Sequence, residues 1–110
     1  MSLKEKLNQL SVDTKTKRIN IINELIPKLI NNIENSLIKY ASKYIDKNKY
    51  ISLHDFINIY NSLINEQLGQ LYSEEYEYIS KQLMNHFSKV AMLTVELSST
   101  VKNNFSLSWY

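Results

Sequence analysis

The sequence predicts an α+β fold, mainly helical, with a long N-terminal helix, two further helices and a C-terminal antiparallel β-hairpin. Three observations carry that prediction. Apolar residues recur every three or four positions through most of the chain, the spacing that gathers them on one side of a helix. Near Lys89 the period drops to two, as in a half-buried strand. One glycine and one proline in 110 residues leave few tight turns, which favours long helices over a many-stranded sandwich.

The stretch from Ile19 to Ile45 organises the rest. Ile22, Leu25, Ile26, Leu29, Ile33, Leu37, Tyr40 and Tyr44 fall on one stripe, and a helix over the whole run is about 40 Å long. Pro27 lacks an amide hydrogen and crowds the preceding turn. Either Asn23 caps a helix that begins at Glu24, or one helix from about Thr16 bends at the proline. Ile19, Ile22 and Ile26 continue the stripe, which favours the bent helix. Upstream, Ser2-Leu3-Lys4-Glu5 fits a capping box opening a short helix with Leu3, Leu7 and Leu10 on one face. Polar Ser11 to Lys17 predicts a hinge, with Asp13 or Thr14 capping the long helix beyond it. Residues 1–15 are thus expected as a loosely attached helix on a single domain spanning 1–110.

Asp46-Lys47-Asn48-Lys49 closes the long helix. Tyr50 to Leu53 suits an extended segment leading into a helix that Ser52 caps, with Asp55 in its first turn. Leu53, Phe56, Ile57, Tyr60, Leu63, Ile64, Leu68 and Leu71 give that helix its stripe, and Gly69 marks its end. Ser73-Glu74-Glu75 starts another, with Tyr76, Ile79, Leu83, Met84 and Phe87 along one face. The acids at its start complement the helix dipole without any further role.

In the hairpin, Leu93, Val95 and Leu97 alternate with polar residues, as do Phe105, Leu107 and Trp109. A two-residue turn at Asn103-Asn104 sets Phe105 opposite Lys102 and wastes the apolar face. An odd-length loop pairs Leu97 with Phe105, Val95 with Leu107 and Leu93 with Trp109, and a one-residue slip inverts every side chain, so this register is expected. Trp109 continues the inward face and is expected in the core rather than in a free docking tail.

Composition excludes several chemistries. Cysteine is absent, which removes disulfides, thiolate catalysis and most structural zinc sites. No apolar run reaches the roughly 18 residues of a membrane span, and no basic-hydrophobic leader is visible. A reducing, cytoplasmic location away from the membrane is therefore expected. Ile, Asn, Lys and Tyr, which have AT-rich codons, are abundant, pointing to a low-GC bacterium, its phage or an AT-rich DNA virus. Charge is split: residues 1–49 hold ten Lys/Arg against five Asp/Glu, and residues 50–110 hold three against six. Such asymmetry reads as a solvated helix face, a basic docking face or two mutually attracting surfaces between subunits.

The sharpest candidate site is the run Lys39 to Lys47. Lys39, Lys43 and Lys47 are spaced i, i+4, i+8, which on a helix lines three ammonium groups along one ridge. A phosphate backbone is met by such a row, and Tyr44 beside it can stack on an unpaired base. Against this, Tyr40 and Tyr44 belong to the apolar stripe, and arginine, favoured for base edges, occurs once, at Arg18. His54 and His86 lack metal-ligand spacing and read as surface or core-edge residues. Glu74, Glu75 and Glu77 read as helix-start acids. Ser98-Ser99-Thr100 lacks a nucleophile's glycine elbow, and a lone glycine cannot build a phosphate loop. The sequence thus predicts no enzyme, cofactor or metal. It predicts a small non-catalytic protein-interaction module that binds another protein or a second copy of itself. The alternative is a nucleic-acid-binding accessory factor using the lysine ridge.

Overall fold

A computed structural model describes residues 2–110, and the α+β, mainly helical fold is the one observed. Helix α1 runs without interruption for 39 residues, Leu3–Ala41. Strand β1 (Asn48–Ile51) follows, then the short helices α2 (Leu53–Asn58) and α3 (Asn61–Gln67), and α4 (Ser73–Asn85), which ends in a π-helical turn over His86–Val90. Strands β2 (Thr94–Leu97) and β3 (Phe105–Ser108) close the chain.

The expected hinge at Ser11–Lys17 does not form, and α1 begins where only a short helix was expected. Ser2 caps it as expected, its hydroxyl accepting from the Glu5 amide at 3.2 Å. Across the polar segment the Ser11 and Thr16 hydroxyls donate back to the Leu7 and Val12 carbonyls at 2.9 and 3.2 Å. These bonds satisfy the side chains within the helix, so the polar residues need no break. Helix α1 also passes through Pro27, as the continuing stripe predicts. Pro27 lies on the exposed side, so the carbonyl that loses its amide partner faces water. At the far end α1 stops at Ala41 rather than Ile45: Ser42 and Lys43 turn the chain, with the Lys43 amide bonding Tyr40's carbonyl at 3.0 Å.

The sheet has three strands, not two. β3 lies in the middle, in the order β1-β3-β2, antiparallel to both neighbours. Two of the three expected pairs form, Val95 facing Leu107 and Leu97 facing Phe105; the ladder ends at Thr94–Ser108, and the Leu93 and Trp109 amides bond the Phe87 and Lys47 carbonyls instead. On the other side Ile51 pairs with Phe105 and Lys49 with Leu107, so the extended segment before α2 is the third strand. Phe105 and Leu107 are wholly buried. They pack with Ile22, Leu25, Leu29 and Ile33 of α1, Ile79 and Leu83 of α4, and Phe87 of the π turn in one core.

The helix expected over 53–71 is two pieces broken at Ile59–Tyr60. The Tyr60 hydroxyl accepts from the Asn32 amide at 2.5 Å and donates to the Lys28 carbonyl at 3.3 Å, so the break fastens this segment to α1. Ser52 makes no capping bond at α2. Asn104, at the mouth of β3, does that work: its Oδ1 accepts from the Leu53 amide at 3.0 Å and its Nδ2 donates to the Tyr50 hydroxyl at 2.7 Å. Gly69 ends α3 with φ of +76°, a conformation cheap only without a Cβ.

Candidate interaction surface

The molecule measures 63 × 26 × 25 Å, while a 39-residue helix alone is about 58 Å long. The elongation is α1 standing clear of the body. From Leu3 to Lys17 every residue of α1 is exposed; from Ile22 to Ile33 the stripe is buried. The changeover lies at Arg18.

Arg18 stands four residues before Ile22, in the register of the buried stripe. Its Nε and Nη2 grip the Glu75 carboxylate at 2.9 and 2.6 Å. Its Nη1 donates to the Leu68 carbonyl and Nη2 to the Gln70 carbonyl, both at 2.7 Å. The guanidinium also lies 4.8 Å from the centre of the Tyr72 ring. Glu75 in turn accepts from the Tyr72 amide at 2.9 Å, closing the first turn of α4. Burial pushes the Glu75 carboxyl upward, but Arg18 and the Tyr72 amide outweigh it and hold it below its ordinary value. The paired carboxylate, more than the cost of burial, raises Arg18 above its own. Glu75 is therefore not merely a helix-start acid. It is half of a clamp fixing α1 to the α3–α4 connection and to α4.

Beyond the clamp none of the described residues buries the helix. Leu3, Leu7 and Leu10 are 71%, 54% and 59% exposed and share one face with Thr14. Beside that face and the start of α4 lies an open groove of about 820 Å³, its walls including Leu7, Leu10, Thr14, Tyr72, Glu74 and Tyr78. The sequence places the three leucines on one face. It does not reveal that the face stays uncovered, because a break at Ser11–Lys17 would leave them free to fold back.

At the opposite end of α1, the residues of the expected ridge are all exposed but occupy three different pieces of backbone. Lys39 is in the last turn of α1, Lys43 in the turn after it and Lys47 in the bend before β1. The helical ridge does not form, because α1 ends at Ala41. Tyr44 stays about half exposed and packs on Tyr40, ring centres 4.7 Å apart, with the Lys43 ammonium 5.6 Å from its ring. Lys49, outside the i, i+4, i+8 row, sits 4.8 Å from the Tyr40 ring centre. Trp109 meets Tyr40 edge-on at 6.3 Å and is half-buried, short of the full burial its alternation suggests. Tyr40 donates to Asp46 at 3.0 Å. Desolvation first, then this carboxylate, raise its phenol above the ordinary value. These contacts use the rings to finish the helix and seat the sheet edge.

His86 stands with Nε2 3.1 Å from Glu34 Oε1, tying the π turn to α1. Among the described residues no group of three or more His, Asp or Glu is placed to hold a metal ion, and no helix is long and apolar enough to cross a membrane. No protein-family model, curated protein or solved structure matches the chain.

Proposed function

We propose that this protein is a non-catalytic interaction module whose working surface is the leucine face of α1 with the groove beside it. One observation carries the reading: a helix face bearing Leu3, Leu7 and Leu10, each more than half exposed, lies beyond the ion pair that fastens α1 to the body. Leucines at helical spacing beside an apolar groove suit a partner helix laid along them. Contiguous exposed apolar surface of this kind marks binding sites more often than bare surface does. The nucleic-acid alternative depends on a straight helical row of ammonium groups, and without that row it is not carried further. A reducing, cytoplasmic setting belongs to the same proposal.

Site-specific photo-crosslinking in living cells tests the reading. With p-benzoylphenylalanine in place of Leu10, a defined protein adduct is expected, whether to another protein or to a second copy. The same group in place of Gln9, on the far side of the helix, should give none. Equal labelling from both positions, or no adduct from either, would overturn the proposal.

A further inference from the structure

We infer that the occupant of the leucine face is a second copy of this chain, with the two protruding helices packed antiparallel. The inference rests on the interaction reading above and names its partner.

The spacing Leu3, Leu7, Leu10, Thr14 alternates steps of four and three, the seam of a two-helix coiled coil. In an antiparallel pair, Leu7 meets Leu10 of the second copy and Leu3 meets its Thr14. The seam also sets the flanking positions. Lys6 of each copy comes beside Asp13 of the other, twice by the two-fold symmetry, and Lys4 comes beside Ser11. All four residues are exposed in the single chain; Asp13 accepts from Gln9 through Oδ1 and Ser11 donates to the Leu7 carbonyl, which leaves Asp13 Oδ2 and the Ser11 lone pairs for these contacts. A parallel pair in register sets Lys6 against Ser11 and Asp13 against Arg18, whose guanidinium is already committed to Glu75 and two carbonyls. The antiparallel pair alone completes both charges.

The groove agrees with this arrangement. It opens on the Ser11 and Arg18 side of the seam and ends at Tyr72, Glu74 and Tyr78. The first turn of the second copy, carrying Leu3 and Lys4, runs into that end. There Leu3 meets the tyrosine rings and Lys4 approaches the exposed carboxylate of Glu74. Because the bodies lie at opposite ends of the paired helices, they do not collide. The shared seam is only about three turns long, below the size of a standard stable interface. The dimer should therefore be weak, with a dissociation constant on the order of 10 μM.

Sedimentation velocity and light scattering on the full chain, from about 1 to 500 μM, read the equilibrium directly. A monomer-to-dimer transition is expected, and Leu7→Ser with Leu10→Ser should abolish it. Their circular dichroism and melting temperature at low concentration should change little, because both side chains are more than half exposed in the single chain. Lys6→Glu should weaken the dimer about tenfold, and adding Asp13→Lys should restore it by recreating the pair with reversed sign. A chain still monomeric at about 500 μM overturns the inference, as does a dimer indifferent to the leucines or to the charge swap. A monomeric chain that nevertheless crosslinks to another protein through position 10 also overturns it, while leaving the interaction reading intact.

Discussion

Breaking the clamp between Arg18 and Glu75 should cost the protein measurable stability, in an amount set by its geometry. The two side chains are 15% and 10% exposed, between a solvated surface pair, worth about 0–1 kcal/mol, and a fully buried one, whose disruption costs about 3–5 kcal/mol. Glu75→Gln keeps an acceptor for Arg18 but removes the charge, so a loss of about 2 kcal/mol is expected. Arg18→Met keeps the apolar stem yet strips donors from Glu75 and from the Leu68 and Gln70 carbonyls, and should cost about 3 kcal/mol. The double variant should fall short of the sum by about 1.5 kcal/mol, the coupling that a double-mutant cycle isolates. Urea unfolding followed by circular dichroism at pH 7 measures all four chains. The pH dependence has a definite sign. Folding lowers the Glu75 value below its ordinary 4.5, so the unfolded chain takes up the proton first as acid is added. The stabilisation is whole above that ordinary value and disappears as pH falls through the folded one. The advantage of the native chain over Glu75→Gln should shrink in that window. A coupling below about 0.5 kcal/mol, typical of an exposed pair, or an advantage that grows on acidification, would refute the clamp.

Asn104→Ala removes the bond to the Leu53 amide and orphans the Tyr50 hydroxyl, and should cost about 2 kcal/mol. Ser52→Ala, at the conventional capping position but without a capping bond, should change stability by less than about 0.5 kcal/mol; chemical denaturation of the pair distinguishes the two, and equal effects would contradict the assignment. Phe105→Ala empties a wholly buried site at the centre of the sheet and should cost about 3–5 kcal/mol. Trp109→Ala, half-buried just past the end of the central strand against Tyr40, should cost less than Phe105→Ala, with tryptophan fluorescence in Tyr40→Leu reporting the lost contact; a reversed order would show that the end of β3, not its middle, carries the packing.

Whatever depends on periodicity is legible in the sequence. The stripe from Ile22 to Ile33, the strand register at Val95 and Leu97, and the break at Gly69 arise from patterns the backbone repeats. Hidden from it is whatever depends on where distant segments meet. Asn104 caps α2 across 51 residues, leaving the local candidate Ser52 without a capping bond. The third strand needs β1 to find β3, and four residues of β1 carry too little pattern to announce it. The lysine row fails for a related reason: its spacing is sound, but the helix that would align it ends at Ala41. Arg18 is a signal of the opposite kind, visible in the sequence yet easily read as surface charge. It sits in the register of an apolar stripe, where a lone charge requires a buried partner, and Glu75 supplies it.

The protruding part of α1 breaks local rules that the rest of the chain keeps. Asn8, Ser11, Val12, Asp13, Thr14 and Thr16 are mediocre helix formers, and a helix of about 15 residues is marginal by itself in water. It persists because α1 is already formed beyond Arg18, so the segment extends a helix rather than nucleating one, and because Ser2 and the Gln9–Asp13 contact tie up its free end. Those supports account for its being helical but not for its leucines. A solvated extension needs none, and polar residues at positions 3, 7 and 10 would leave the cap and the side-chain bonds unchanged. Proteins tend to break such local rules at functional sites, which is the ground on which the leucine face is proposed as an interaction surface. The clamp marks where that exposed segment begins: Arg18 is fixed to Glu75 and to the Leu68 and Gln70 carbonyls, and every residue of α1 before it is exposed.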